Sequence, residues 1–273
     1  MKAWLNGPAS DTQITHRQRL WLYLLAALAM LFLIAPTLIV IPMSFSGSRF
    51  LEFPPRTWSL TWYRHYFDSP EWMQATLVSL KAAFLTMLLA TGTGGMAAYG
   101  LARSRVRMAR WIYLMLISPM IIPVILLAVG AFYVYVKLRL LNTLAGLVLA
   151  HSVLAIPLVL IVVGAGLKSF DASQEMAARS LGATRLEAFL MVTLPQIRFS
   201  VLTAALLSFL ASFDEVVMAL FISGGDNATL TRNMFDALRD QIDPTIASIS
   251  TIMICVSSGL MALAQVLRKR RAD

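Results

Sequence analysis

Six stretches of this chain, residues 20–41, 74–101, 111–136, 143–167, 199–223 and 245–267, stay apolar over about 20 residues or more, the length a helix needs to cross a bilayer core. Backbone groups inside hydrocarbon must be satisfied within the segment itself, so each run is expected to be a helix. No strand alternation competes with that reading. The expected fold is therefore an all-α membrane protein with six transmembrane helices. Composition agrees where it matters: charged residues make up only 14% and the mean hydropathy is +0.72, too apolar for a wet surface.

The charges between the runs set an orientation. One group of connections carries Arg17 and Arg19, then Arg103, Arg105, Arg107 and Arg110, then the segment 170–198, then Arg268, Lys269, Arg270 and Arg271. The alternate connections are balanced or acidic, with Glu52, Asp68 and Glu71 in one and Asp226, Asp236, Asp240 and Asp243 in the other. The positive-inside rule places both termini and residues 170–198 in the cytoplasm. Residues 1–19 then form a cytoplasmic tail, residues 20–267 the spanning domain, and residues 268–273 a basic tail. The first run is long enough to span and follows a polar stretch, so no cleavable signal is expected. A net charge of +9 suggests nucleic acid, but the basic residues flank apolar runs and form no groove-sized patch, so no nucleic acid is expected.

Chemistry-bearing patterns are sparse. The single cysteine, Cys255, lies within an apolar run, so neither a disulfide framework nor a cysteine metal cluster is expected. His16, His65 and His151 are scattered, and His151 reads as a packed, hydrogen-bonded residue. No nucleotide loop, metal motif or nucleophile set occurs, so no catalytic or metal site and no cofactor are expected. Residues 58–67 are rich in Trp, Tyr and Phe, a composition suited to the outer membrane interface. The second run holds TGTGGMAAYG, small residues that let helices approach closely. In the third run Pro119 and Pro123 are expected to break the helix.

Two features remain. The polar segment FDASQEMAARSLGATRLEAFLMVTLPQIR, residues 170–198, divides at Gly182 and Pro195 into a short helix over 172–181, a turn, and a second helix. Ala177, Ala178 and Leu181 form a small apolar stripe, and Glu175 and Arg179 are spaced for an (i, i+4) pair. A short, small-faced helix suits the cleft of another protein. The second feature is Asp214–Glu215 in the fifth run, where a carboxylate costs roughly 2.5–3.5 kcal/mol. Such a cost is expected to be offset by a cation in a path or by a structural pair, and both readings stand for Asp214.

The stretch EMAARSLGATRLEAFLMVTLP resembles the EAA loop of permease subunits of bacterial binding-protein-dependent ABC importers. In register, Met176, Ala177, Ala178, Gly182 and Pro195 take the pattern's positions, Met176 that of its acid, with Glu175 one residue early and about 100° around the helix. The resemblance implies a type I ABC importer permease fold in the inner membrane, with a cytoplasmic coupling helix. It implies a second permease subunit, two ATP-binding subunits that hold the ATP, and a periplasmic solute-binding protein.

Three stretches, VLAHSVLAIPLVLIVVGAGLKSFD, SFDEVVMALFISGG and RNMFDALRDQIDPTIASISTIMI, resemble the second permease of spermidine/putrescine importers. That implies a cationic small-molecule substrate passing Asp214 and Glu215. Val124 stands where relatives often carry an acid, which leaves open another amine, an opine-like solute, an amino acid or an ion. A stand-alone secondary carrier predicts inverted repeats and several mid-membrane charges, neither of which is seen.

Overall fold

The computed structural model describes residues 15–104, 106–240 and 243–269, with side chains as far as 262. Most of the expected tails, residues 1–14 and 270–273, and Arg105 lie outside the described residues. Along the chain run α1 (Leu20–Met43), α2 (Thr61–Asp68), α3 (Pro70–Arg103), α4 (Ala109–Ile117) and α5 (Val124–Leu138). They are followed by α6 (Leu144–Ser169), α7 (Ala172–Ser180), α8 (Arg185–Phe213), α9 (Val217–Ile222), α10 (Leu230–Asp240) and α11 (Thr245–Lys269). No β-strand occurs among the described residues. Five helices are long and apolar enough to cross a membrane, and a sixth span results if α4 and α5 are counted together.

The chain divides into two compact units. The first joins, of the described residues, 15–64 with 243–254. Within it the Ser44 carbonyl accepts from the Ser248 hydroxyl at 3.3 Å, and the Ser44 hydroxyl meets that of Tyr63 at 2.7 Å. The lipid-like face of α1 is wide: Phe32 and Leu33 are 79% and 73% exposed.

The second unit, of the described residues 65–104, 106–240 and 255–269, carries the larger core. Here α3, α6 and α8 pack around Ala90, Ala155, Val159, Val163 and Ala204, each nearly inaccessible. Small residues in the expected stretch of α3 make that approach possible. A Cβ on Gly94 would lie 2.9 Å from the Cβ of Val159 on α6, closer than side chains tolerate. Ser69 caps α3, its hydroxyl accepting from the Trp72 amide, and Pro70 occupies the first turn, where its missing N–H is not needed.

The third span breaks at its prolines as expected: Ala109–Met120 and Val124–Leu138 meet at 97° across residues 121–123. Pro119 and Pro123 each remove a backbone donor within five residues, and Pro123 caps the start of α5. Two other expectations are corrected. The fifth span does not run unbroken over 199–223. It begins at Arg185, ends at Phe213, and resumes at Val217. Pro195, expected to punctuate the polar segment, instead lies inside continuous helix. A π-helical stretch, Phe189–Thr193, precedes it, and the widened turn absorbs the proline's missing donor and ring.

Candidate functional site

The polar segment is built by its caps. Asp171 accepts from the Ser173 amide at 2.9 Å and the Ser173 hydroxyl at 2.7 Å, which starts α7 and holds the Asp171 carboxyl below its ordinary range. Thr184 and Glu187 exchange bonds in a capping box that starts α8. Between them the Gly182 amide donates to the Arg179 carbonyl and the Ala183 amide to that of Ala178, a Schellman closure. Gly182 adopts φ +100°, with open space where a Cβ would stand. The barrier to a side chain there is therefore backbone strain alone, about 1–3 kcal/mol. Gly182→Val is expected to reshape this turn and change the angle between α7 and α8. An unchanged angle, measured by spin-label distances between the two helices, would remove the glycine's conformation from the site's construction.

The (i, i+4) pair of Glu175 with Arg179 does not form. Glu175 is 6% exposed and turned into the protein. It accepts from the Tyr99 hydroxyl at 2.5 Å, from Arg103 Nη2 at 2.6 Å and from the Thr193 hydroxyl at 2.8 Å. Burial raises its pKa, but these three bonds and the Arg103 charge outweigh that and hold the carboxyl below its ordinary value. The Arg103 guanidinium also lies 5.7 Å from the Tyr99 ring centroid and 5.6 Å from that of Phe170. One carboxylate on α7 thus ties the end of α3 to the π-helical start of α8. An exposed pair on α7 alone contributes only a few tenths of a kcal/mol, whereas bonds to a charged group contribute roughly 1.5–3 kcal/mol each.

The 100° offset between Glu175 and Met176 now has a consequence. With Glu175 inside, Met176 faces out at 60% exposure, and Ala177 is exposed beside it. Leu181 at 90%, Leu186 at 66% and Met191 at 75% extend an uncovered apolar face. Ala178 is half-buried and Pro195 exposed. Of the residues singled out in the sequence, Met176 and Ala177 share the outer face, Gly182 makes the turn, and Glu175 holds the helix from behind.

Asp214 and Glu215 occupy the break between α8 and α9, not a helix interior. The Asp214 amide still bonds to the Leu210 carbonyl at 3.0 Å, ending α8. The Glu215 carboxylate accepts from the Met218 amide at 2.8 Å and so begins α9, while its carbonyl accepts from the Thr231 hydroxyl at 2.9 Å. The Glu215 side chain takes the Met218 amide for itself and so starts a new helix, which is why α8 does not run on into α9. Glu215 is committed to this structural work. Asp214 is exposed, and its carboxylate makes no hydrogen bond or ion pair with the described residues. Two residues earlier, Ser212 meets His151 Nδ1 at 2.8 Å, and His151 is buried as the sequence indicated, with Nε2 unpartnered. Irregular backbone at membrane depth is tolerated where it is buried or lines a water-filled cavity.

Sequence reasoning missed Tyr99, Arg103 and Thr193. Arg103 was counted only as an orienting charge, and its pairing spans 72 residues of chain, for which no local pattern exists. The capping box at Thr184–Glu187 was legible as T-x-x-E and would have located the start of α8.

With the geometry described, the chain can be compared with known proteins. Residues 90–273 match the family model described as binding-protein-dependent transport system inner membrane component. The spermidine/putrescine transport system permease protein PotC of Haemophilus influenzae is 30% identical over 240 residues, 88% of this chain and 93% of that one. The putrescine transport system permease protein PotI of Escherichia coli is 29% identical over 241 residues, covering 86% and 85%. A bacterial alginate ABC transporter, solved with an alginate pentasaccharide-bound periplasmic protein, superposes with a TM-score of 0.72 at 15% identity, covering 93% of this chain and 96% of that one. At that identity the likeness speaks for the fold alone, the type I ABC transporter permease fold.

Proposed function

The chain belongs to the family of binding-protein-dependent transport system inner membrane components, and from that premise we propose that it is a permease subunit passing a polyamine or related cationic solute, driven by a separate ATPase. It is a multi-pass membrane protein and a transport subunit, not an enzyme. The observation that carries the reading is the outer face of α7 and the turn after it: Met176, Leu181 and Leu186 uncovered, with Glu175 fastened behind them. An exposed apolar face on a buried polar anchor suits a helix gripped by a soluble partner.

The proposed assembly contains a second permease, two ATPase copies and a periplasmic binding protein, with both termini and α7 on the cytoplasmic side. The polyamine names of the relatives and the unpartnered Asp214 carboxylate support a cationic cargo. Closure of the ATPase pair moves α7, and the clamp transmits that motion to α3 and α8, whose far end is Asp214. Coupling requires that the contacts at both ends differ between the two states. Val124, which opens α5 without a charge, supports a second reading in which the cargo is another amine or an opine-like solute.

Leu181→Glu is the direct test of the docking face. It places a charge in the centre of the face without touching the clamp, and a central interface residue contributes about 2 kcal/mol or more. Co-elution of the ATPase with the purified complex is expected to fall roughly tenfold or more. Undiminished co-elution would assign the ATPase contact to another surface.

A further inference from the structure

A second feature lies at the same end of the bundle, outside the proposed path, and shares Arg103 with the clamp. A half-open cavity of about 480 Å³ separates the ends of α3, α4 and α6. Three cations line it, Arg103, Arg110 and Lys168, and no carboxylate does. Arg110 and Lys168 make no ion pair or hydrogen bond with the described residues. Arg103 engages Glu175 through Nη2 and has further donors on its guanidinium fork. The remaining wall is apolar, formed by Leu160, Gly164 and the ring of Tyr113. Beside it Trp111 is 72% exposed.

We propose that this cavity binds one anionic phospholipid, its phosphate held by Arg110 and Lys168 and an acyl chain lying along Leu160, Gly164 and Tyr113. Three observations converge on that occupant. Arg110 and Lys168 are exposed at helix ends with no ion pair or hydrogen bond among the described residues, and basic pockets between spanning helices suit acidic headgroups. Trp and Tyr rings at one level mark headgroup depth. The apolar wall separates a lipid from a free phosphate, which has nothing to place there. A phosphate seated between the three helix ends would hold α3, α4 and α6 together beside the Arg103 clamp. The inner leaflet follows from the proposed orientation; the site itself requires only that the helices span.

The test uses the intact transporter complex, delipidated in detergent and titrated with dioleoyl phosphatidylglycerol or dioleoyl phosphatidylethanolamine under native mass spectrometry. The wild type is expected to retain phosphatidylglycerol in preference to phosphatidylethanolamine. Each lost cation is expected to weaken retention roughly fivefold, so Arg110→Gln with Lys168→Gln loses most of it. Arg110→Lys with Lys168→Arg is expected to retain it. Gly164→Phe leaves every charge in place and meets open space at its Cβ, so it fills the cavity and is expected to abolish the preference.

Equal retention of the two lipids, or unchanged retention in Gly164→Phe, would overturn the site. Displacement of the lipid by equimolar inorganic phosphate would reassign the cations to a free anion. Crosslinking of a benzophenone maleimide carried on Ala109→Cys, in a Cys255→Ser background, to the partner permease in native membranes would show protein covering the cavity, and would equally overturn the lipid.

Discussion

Glu175→Ala is expected to lower uptake by roughly tenfold or more while the ATPase remains bound and continues to hydrolyse ATP. The alanine deletes the one group that accepts from Tyr99, Arg103 and Thr193 together. Removing one partner of a buried ion pair costs about 3–5 kcal/mol. Arg103 keeps 31% of its side chain accessible, so water recovers part of that and the low end applies. The docking face of Met176 and Leu181 is untouched, so α7 is still gripped, but its motion no longer reaches α3 and α8. Hydrolysis without uptake is the signature. Tyr99→Phe and Thr193→Val each remove one bond to the carboxylate and are expected to have smaller effects, about 1.5–3 kcal/mol each. Glu175→Gln keeps an acceptor and loses the charge, and is expected to fall between. A Glu175→Ala complex that transports as the wild type does would sever the clamp from coupling.

The same clamp has a defined pH dependence. Its carboxyl is held below the ordinary value, so the contribution is fully present above the ordinary glutamate pKa. It is lost only as the pH falls through the lowered value in the folded state. Transport measured from neutral pH down to that range is expected to show no loss at the clamp.

Asp214→Asn is expected to lower polyamine uptake by roughly tenfold to a hundredfold, since a hydrogen bond to a charged group contributes about 1.5–3 kcal/mol. The asparagine keeps the shape and the helix end, because the amide of residue 214 makes the terminating bond to Leu210. Assembly with the ATPase is therefore expected to be unchanged. Asp214→Glu is expected to restore part of the uptake, since the charge returns on a longer arm. Glu215→Gln should behave differently. Its oxygen still accepts from the Met218 amide, so α9 persists and the cost is modest. Initial-rate uptake across a panel of mono-, di- and polyamines is the measurement. An Asp214→Asn profile matching the wild type for every amine would take that carboxylate out of the path.

Much of the fold was legible because hydrocarbon imposes one rule on the backbone. Runs long enough to span announced α1, α3, α6 and α11 to within a few residues at either end. Pro119 and Pro123 announced a break, but not the 97° between its arms, which depends on what α4 and α5 pack against. The fifth span was misread for a related reason. Hydropathy averages over Asp214 and Glu215, whereas the helix ends where the Glu215 side chain captures the Met218 amide locally. Pro195 was read as a stop, and the π-helical turn before it made it part of the span.

From the chain alone came the class of molecule, its polar knuckle with Gly182 at the turn, and the acids set within an apolar run. These follow from composition and spacing, properties carried by neighbours in sequence. Which way Glu175 faces, that Arg103 and not Arg179 answers it, and that Asp214 stands free while Glu215 caps α9 were decided only by the tertiary structure. The reason is physical: a carboxylate's partner is set by the nearest donors in space, and burial lets donors dozens of residues away prevail over a neighbour one turn along the helix.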